Sequence, residues 1–113
     1  MECIFCKIIK GEIPGKFVYK DSQMVVFRDI SPKAPVHVLL VPRKHFESLK
    51  DVTLNDAELM GKVMTKFPEI AKKLGIERGF KVAVNNGRSA GQLVFHLHFH
   101  ILGGWGKSPG WVV

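Results

Sequence analysis

Three histidines alternate with large apolar residues late in this 113-residue chain, as His96, His98 and His100. In an extended strand, successive side chains point to opposite faces, so this spacing places the three imidazoles on one face. Imidazole has an unperturbed pKa near neutrality and can act as nucleophile, proton donor, proton acceptor or metal ligand. The pattern therefore predicts a strand with one chemical face and one packing face.

Two other interpretations of these histidines compete with catalysis. A lone histidine on an amphipathic strand is most often a solvated residue, but three in strict alternation before Gly103 and Gly104 are not typical of a solvated face. Zinc is the stronger competitor, although a structural site normally needs four ligands and a catalytic site needs three and a water.

A glycine-containing loop, residues 84–92, comes directly before the histidines. Backbone amides in such a loop can surround an anion, and this position would hold a phosphate against the imidazoles. An ordinary polar connection between strands would have a similar composition. The loop is therefore a candidate phosphate site because of where it lies.

Both cysteines of the chain stand in one short motif, Cys3-Ile4-Phe5-Cys6. In a cytosolic setting this spacing favours metal or redox chemistry over a structural disulfide. The thioredoxin-like context of a redox pair is missing. Two small buried thiols are the alternative to a metal site.

Five predicted strands and one long helix must position these groups. The helix covers residues 55–74, where apolar residues recur at three- and four-residue steps, and Pro68 predicts a kink or a break within it. A short helical or irregular segment covers 3–9, and the strands cover 17–20, 24–29, 37–42, 80–85 and 95–102. This order predicts an α+β fold, in which the helix packs on one face of a five-stranded antiparallel sheet.

The chain has a formal net charge of +7, which favours an anionic partner. Its basic residues are scattered without a run or a helical stripe, so binding to long DNA or RNA is only weakly supported. Its longest apolar run is too short to span a bilayer, so we expect no membrane partner. We expect one domain of ordinary size and, with no signal-peptide pattern, a cytoplasmic location.

Several short segments carry a family resemblance by their order along the chain. Together with the final histidines they resemble the histidine triad (HIT) family, in its nucleotide-binding, HINT-like branch. The resemblance covers nearly the whole chain and implies a single HIT domain over residues 1–113. The segments are Ile4-Phe5-Cys6-Lys7-Ile8-Ile9, Gly11-Glu12-Ile13-Pro14, Asp29-Ile30-Ser31-Pro32, Pro35-Val36-His37, Val41-Pro42-Arg43-Lys44-His45, Asn85 and Gly91-Gln92.

The resemblance implies a hydrolase or transferase that acts on purine nucleoside phosphoramidates, such as AMP-lysine or AMP-amide compounds. His98 matches the nucleophile that attacks the α-phosphorus and becomes nucleotidylated. His37 and His100 match the residues that orient it and manage protons and charge at the phosphate. A neutral imidazole suits this task if its other nitrogen is held as a donor by a fixed acceptor, and no metal is required for catalysis.

The resemblance also implies a nucleotide site. Asp29 matches the carboxylate that holds the ribose hydroxyls, although from the pattern alone it could equally be a turn or cap residue. The apolar cleft for the purine matches Ile4, Phe5, Ile8, Phe27, Ile30 and Leu39. The contacts on the phosphate side match Asn85, Gly91, Gln92 and position 93, together with His98 and His100.

Bacterial and archaeal members of the family resemble this chain in a further respect, a structural zinc site. If the other three histidines serve catalysis, His45 and His96 are left to complete a Cys2His2 set with Cys3 and Cys6. The resemblance also implies a two-fold homodimer joined through the long helix and strand 80–85. Its C-terminal tails would bring Trp105 or Trp111 near the partner's nucleotide cleft.

Position 93 departs from the family pattern. Many eukaryotic relatives carry a serine there, which contacts the phosphate or the leaving group, whereas this chain has Leu93. Leucine cannot donate a hydrogen bond, so Gln92 or the backbone would have to replace the serine in a fast enzyme. Leu93 therefore favours the alternative function, a nucleotide-binding or interaction module with weak catalysis.

Overall fold

The computed structural model describes residues 3–110 of the chain. Two α-helices and five strands follow one another, with short 3₁₀ turns at Leu49–Asp51, Leu54–Asp56 and Arg88–Ala90. The helices and strands are α1 Ile4–Ile9, β1 Phe17–Lys20, β2 Met24–Arg28, β3 Val36–Pro42, α2 Ala57–Lys73, β4 Phe80–Ala83 and β5 Phe99–Gly103.

The five strands form one antiparallel sheet in the order β1-β2-β3-β5-β4. The predicted α+β fold is confirmed, and the bounds of β1 to β4 agree with the sequence prediction to within two residues. Strand β5 lies between β3 and β4, and its register pairs His37 with Leu102 and His100 with Leu39. The sheet therefore brings histidines from two distant segments of the chain side by side.

The two faces of the sheet are covered by different helices. On one face, alternate strand residues such as Val38, Leu40 and Ile101 pack with Val63 and Ile70 of α2 in the larger buried cluster. On the other face, the intervening residues form a smaller cluster with α1, which consists of Phe5, Ile8, Val25, Phe27, Leu39 and Val41. The histidine face of the sheet is thus the face that carries α1.

The predicted strand 95–102 is too long, because β5 begins only at Phe99. Side chains and a neighbouring loop take the backbone groups that a longer strand would need. The carbonyl of Val94 accepts from the Gln92 amide, that of His96 accepts from the His98 ring, and the Leu97 N–H donates to the Phe46 carbonyl. Leu97 nevertheless packs in the α2 cluster, so the predicted alternation of faces is kept.

Helix α2 is preceded by a 3₁₀ turn and begins at Ala57, two residues later than predicted. Thr53 and Asp56 form a capping box there, which satisfies backbone donors at the start of the turn. The helix continues through Pro68, so the break considered in the sequence analysis does not occur. Pro68 and Met64 are both exposed, so water can reach the Met64 carbonyl that Pro68 leaves without a donor. No helix among residues 3–110 is long and apolar enough to cross a membrane.

Candidate active site and metal centre

His98 is buried, and one of its ring nitrogens has a fixed partner. Its Nδ1 lies 2.7 Å from the carbonyl oxygen of His96. A carbonyl can only accept, so Nδ1 carries the proton and donates it, which leaves the lone pair on Nε2. The ring of Phe5 packs edge-on against the His98 ring, with the centroids 5.0 Å apart. His98 is therefore held in the tautomer that a nucleophile requires.

His37 on β3 and His100 on β5 form a histidine pair across the two neighbouring strands. The Nε2 of His37 lies 2.9 Å from the Nδ1 of His100 and 3.5 Å from a carboxylate oxygen of Asp29. The His100 ring in turn stands 5.0 Å from the His98 ring, centroid to centroid. The structure thus brings the three predicted catalytic histidines together, with Asp29 beside them.

Burial keeps these imidazoles neutral. It is the largest cause of a lowered pKa at His37 and at His98, and the nearby Asp29 carboxylate opposes it in both. At His100, burial is the largest cause of a pKa lowered to about 4, and the neighbouring His98 and His37 contribute to the same shift. A cluster of neutral imidazoles can supply one nucleophile and several donors at neutral pH.

The low pKa of His100 gives a pH dependence of stability. The unfolded chain binds this proton near pH 6.5 and the folded protein near pH 4, so the contribution of neutral His100 is complete above pH 6.5. It is lost as the pH falls from 6.5 towards 4. In urea unfolding at pH 7, 5.5 and 4.5 we expect the wild type to lose more stability than His100→Asn. A His100 NMR resonance that titrates near pH 6.5 would contradict this.

The predicted purine-binding residues divide into a buried floor and an exposed rim. Phe5, Ile8, Phe27 and Leu39 belong to the buried cluster under α1, and the rings of Phe5 and Phe27 meet edge-on at 5.4 Å. The rim consists of Ile4 and Ile30. Both lie outside that cluster, and they are 49% and 99% exposed. Ile30 therefore has no packing role in the ligand-free fold.

Gln92 holds the loop before the histidines. Its side-chain amide donates to the carbonyls of Glu47 and Val94, its oxygen accepts from the Gly87 N–H, and its own N–H donates to the Gly87 carbonyl. The side chain is 2% exposed, and its donors are all used. The structure thus gives Gln92 a positioning role and leaves it without a donor for the phosphate contact expected from sequence.

Other members of this loop stay accessible. Gly91 has a φ of +91°, a conformation that L side chains rarely adopt, and a Cβ there would lie 3.9 Å from the side-chain nitrogen of Asn85. Leu93 is 89% exposed, so its apolar side chain faces solvent and does not contribute to the core.

Cys3, Cys6, His45 and His96 converge as predicted, with one ligand atom from each within 4.8 Å of the others. The Nδ1 of His96 lies 3.4 Å from the sulfur of Cys3 and 3.6 Å from that of Cys6, and the Nδ1 of His45 lies 3.4 Å from Cys6. A tetrahedral zinc ion with ordinary bond lengths places sulfur and nitrogen ligands about 3.6 Å apart. The four residues could therefore hold a metal ion.

The surroundings of this cluster also suit a metal. The Nε2 of His96 lies 2.7 Å from the Pro42 carbonyl, so it carries the proton and Nδ1 presents its lone pair to the cysteines. The Cys6 N–H donates to the Cys3 sulfur at 3.3 Å. Burial and the neighbouring Cys3 raise the pKa of the Cys6 thiol, so a bound cation would be needed to hold the Cys6 sulfur as a thiolate at neutral pH.

Comparison with known proteins agrees with this geometry. A family model, described as the HIT domain, matches residues 10–106. The chain belongs to the HIT family. Among curated HIT relatives, Protein HitA of Neisseria gonorrhoeae is 54% identical over 101 residues, which cover 89% of this chain and 94% of HitA.

Solved HIT structures match the whole fold. A HIT family hydrolase from Clostridium thermocellum superposes with a TM-score of 0.92 at 40% identity, covering 99% of this chain and 97% of that one. A protein from Sulfolobus tokodaii, described as a hypothetical histidine triad nucleotide-binding protein, has a TM-score of 0.80 at 35% identity, covering 94% of this chain and 71% of that one.

Proposed function

We propose that this chain is a hydrolase or transferase that cleaves purine nucleoside phosphoramidates, such as AMP-lysine or AMP-amide compounds, through a nucleotidyl-histidine on His98. The observation that carries the proposal is the bond from His98 Nδ1 to the His96 carbonyl, which leaves Nε2 as a buried nucleophile. The names of the two solved relatives, a hydrolase and a nucleotide-binding protein, support it. That residues 1–113 form one HIT domain and that the protein is cytoplasmic stay predictions.

The reaction has two displacements. First, the lone pair of His98 Nε2 attacks the α-phosphorus, and the P–N bond to the leaving group breaks with its electron pair going to the amine nitrogen, which takes up a proton from solvent. Water then attacks the nucleotidyl-His98 and releases a proton to solvent, the bond from phosphorus to Nε2 breaks, and AMP leaves. His100 stabilises charge on the phosphoryl oxygens in both steps, and His37 orients His100 by donating to its Nδ1, without a metal.

The nucleotide has a consistent place in this site. One Asp29 oxygen accepts from the Ser31 N–H at 2.7 Å, and the other faces the histidine pair, where it can accept from ribose hydroxyls. The purine packs between the buried floor and the exposed Ile4 and Ile30, which gives these rim residues a function. The N–H groups of Ala90, Gly91 and Gln92 donate to carbonyls within their own loop, so a backbone contact to the phosphate would come from the other amides of this loop.

We also propose that Cys3, Cys6, His45 and His96 hold a structural zinc ion. When bound, zinc would hold α1 against the sheet. Helix α1 has six residues, too few for stability by itself, and Phe5 on it contacts both His98 and His96. The metal would thereby keep Phe5 in the purine floor without taking part in the reaction.

The decisive experiment measures hydrolysis of adenosine 5′-phosphoramidate alongside calorimetric binding of AMP. An enzyme releases AMP and ammonia in equal amounts over many turnovers. Binding of AMP without turnover would support the alternative, a nucleotide-binding or interaction module, which Leu93 favours because it cannot assist a leaving group. Salt-sensitive binding to long nucleic acid would instead support the weakest alternative, based on charge alone.

We expect a homodimer joined through α2 and β4. Strand β4 is an edge of the sheet, and Val82 on it and Met64 on α2 are exposed apolar residues. Trp105 lines a cavity beside Phe80 and Lys81 at this edge, which puts the C-terminal segment near the expected interface, whereas Trp111 lies outside the described residues.

Light scattering at micromolar concentration should give twice the chain mass of 12.7 kDa. A charged substitution in a two-fold interface acts twice, so Met64→Lys should produce monomers. Ser22→Lys, in the turn at the opposite edge of the sheet, is the matched control and should leave the dimer intact. A monomeric wild type would remove the dimer from the proposal.

A further inference from the structure

The histidine pair has an anchor that the sequence analysis did not include. The peptide N–H of Lys33, in the loop between β2 and β3, donates to the Nδ1 of His37 at 3.0 Å. A peptide nitrogen can only donate, so His37 Nδ1 must carry a lone pair and, in a neutral ring, the proton is on Nε2. The backbone of this loop thus selects the tautomer of His37.

The same logic continues to His100. His37 Nε2 lies 2.9 Å from His100 Nδ1, and the Asp29 carboxylate at 3.5 Å also favours a proton on that nitrogen. Because His37 donates, His100 accepts on Nδ1 and carries its own proton on Nε2. His100 Nε2 is buried and has no hydrogen-bond partner among residues 3–110. The Nε2–H of His100 is therefore a buried donor without an acceptor among these residues.

We propose that the Lys33 peptide is a positioning group that fixes the protons of His37 and His100, so that His100 presents an N–H to the phosphoryl group. The last part rests on the proposed function. Phosphoryl oxygens only accept, so a reversed pair, with the His100 lone pair on Nε2, would repel them. The hydrogen bond from the Lys33 N–H to His37 Nδ1 fixes the tautomers of both histidines before the substrate binds.

Hydrogen bonds and two prolines restrict the loop that carries the Lys33 amide. Asp29 accepts from the Ser31 N–H, and the Asp29 N–H donates to the His37 carbonyl at 3.1 Å, which ties the two ends of the loop together. Pro32 and Pro35 restrict the backbone on either side of Lys33. Asp29 is also the expected ribose contact. The same short segment would therefore bind the ribose and fix which ring nitrogens of His37 and His100 carry protons.

Ligand spacing alone would allow another role, because Asp29, His37 and His100 could also group around a metal ion. The Lys33 bond argues against that role. With Nδ1 accepting from a peptide, His37 could bind a metal through Nε2 only after losing its last proton, as an imidazolate. A neutral proton chain needs no such ionisation.

The first test is ¹⁵N NMR of the zinc-loaded, ligand-free wild type at pH 7. We expect a protonated Nε2 and an unprotonated Nδ1 at both His37 and His100, with the opposite pattern at His98. A proton on Nδ1 of His37 or His100 would overturn the inference. These spectra decide it even if the wild type hydrolyses no phosphoramidate, a result that would remove the proposed function alone.

The second test removes the amide donor. Lys33→Pro lacks the N–H, whereas Lys33→Ala retains it and is the matched control. We expect mixed tautomers at His37 in the proline variant and a fall in kcat by the inverse of the fraction that keeps the proton on Nε2, about tenfold when one ring in ten keeps it. The alanine variant should retain wild-type spectra and a rate within about twofold.

A backbone ester at position 33, which replaces only the N–H and keeps the lysine side chain, decides the matter if the proline variant does not fold. Its tautomers should match those expected for Lys33→Pro. Wild-type tautomers in a folded ester or proline variant would show that the amide does not set the proton order, and the proposal would fail.

Discussion

Replacing His98 with asparagine should abolish nucleotidyl transfer, with a loss in kcat of at least about 10⁴-fold, because an amide has no lone pair comparable to that of imidazole Nε2. The buried floor of the purine cleft is separate from the reacting nitrogen. AMP binding should therefore stay within about tenfold of the wild type by calorimetry. His98→Ala should behave alike, while Leu54→Ala, an exposed change in the 3₁₀ turn before α2, should retain turnover.

The intermediate gives this prediction a direct observable. Under single-turnover conditions, acid-free intact-mass measurement of the wild type should show an adenylyl adduct that is labile to acid and stable to alkali. Peptide mapping should place it on His98. Retained turnover in His98→Asn, or an adduct on another residue, would overturn the assignment of the nucleophile.

Zinc should be present at about one ion per chain by elemental analysis, and Cys6→Ser or His45→Ala should lose it. At free zinc about 1,000 times the dissociation constant, binding stabilises the folded state by about 4 kcal/mol. For a domain of this size, such a loss lowers Tm by roughly 15 °C. A strong chelator should reproduce the effect in the wild type.

His100→Ala is the matched control for the metal centre, since it removes a histidine of the same strand segment but no predicted zinc ligand. It should retain the metal and the chelator-sensitive part of the stability. If metal content instead followed His98 and His100, the alternating histidines would be the metal site. The division of the five histidines between catalysis and zinc would then be wrong.

The fold could be predicted from sequence where the pattern of apolar side chains decides the structure. Short, nearly continuous apolar runs indicated β2 and β3, and the three- and four-residue repeat indicated α2. The start of β5 could not be predicted, because side chains from Gln92 and His98 take carbonyls that a periodic pattern assigns to strand pairing. Local polar contacts overrode the alternation there.

The candidate site could also be predicted only in part. Residue types and spacing indicated the metal cluster and the histidines, because those functions need particular side chains. The Lys33 amide could not be found this way, since any residue but proline carries an N–H and only the loop geometry brings it to His37. The family resemblance assigned Gln92 to the phosphate side, but the three carbonyls that accept from its donors could not be seen in the sequence.

The candidate metal cluster joins segments that are far apart in sequence, since Cys3 and His96 are 93 positions apart. Closing so long a loop costs conformational entropy, and the six residues of α1 cannot form a stable helix in isolation. During synthesis, the N-terminal segment leaves the ribosome first but gains its anchor only after residue 96 has followed. We expect Phe5 to reach the purine floor last, so that nucleotide binding distinguishes finished chains from nascent ones.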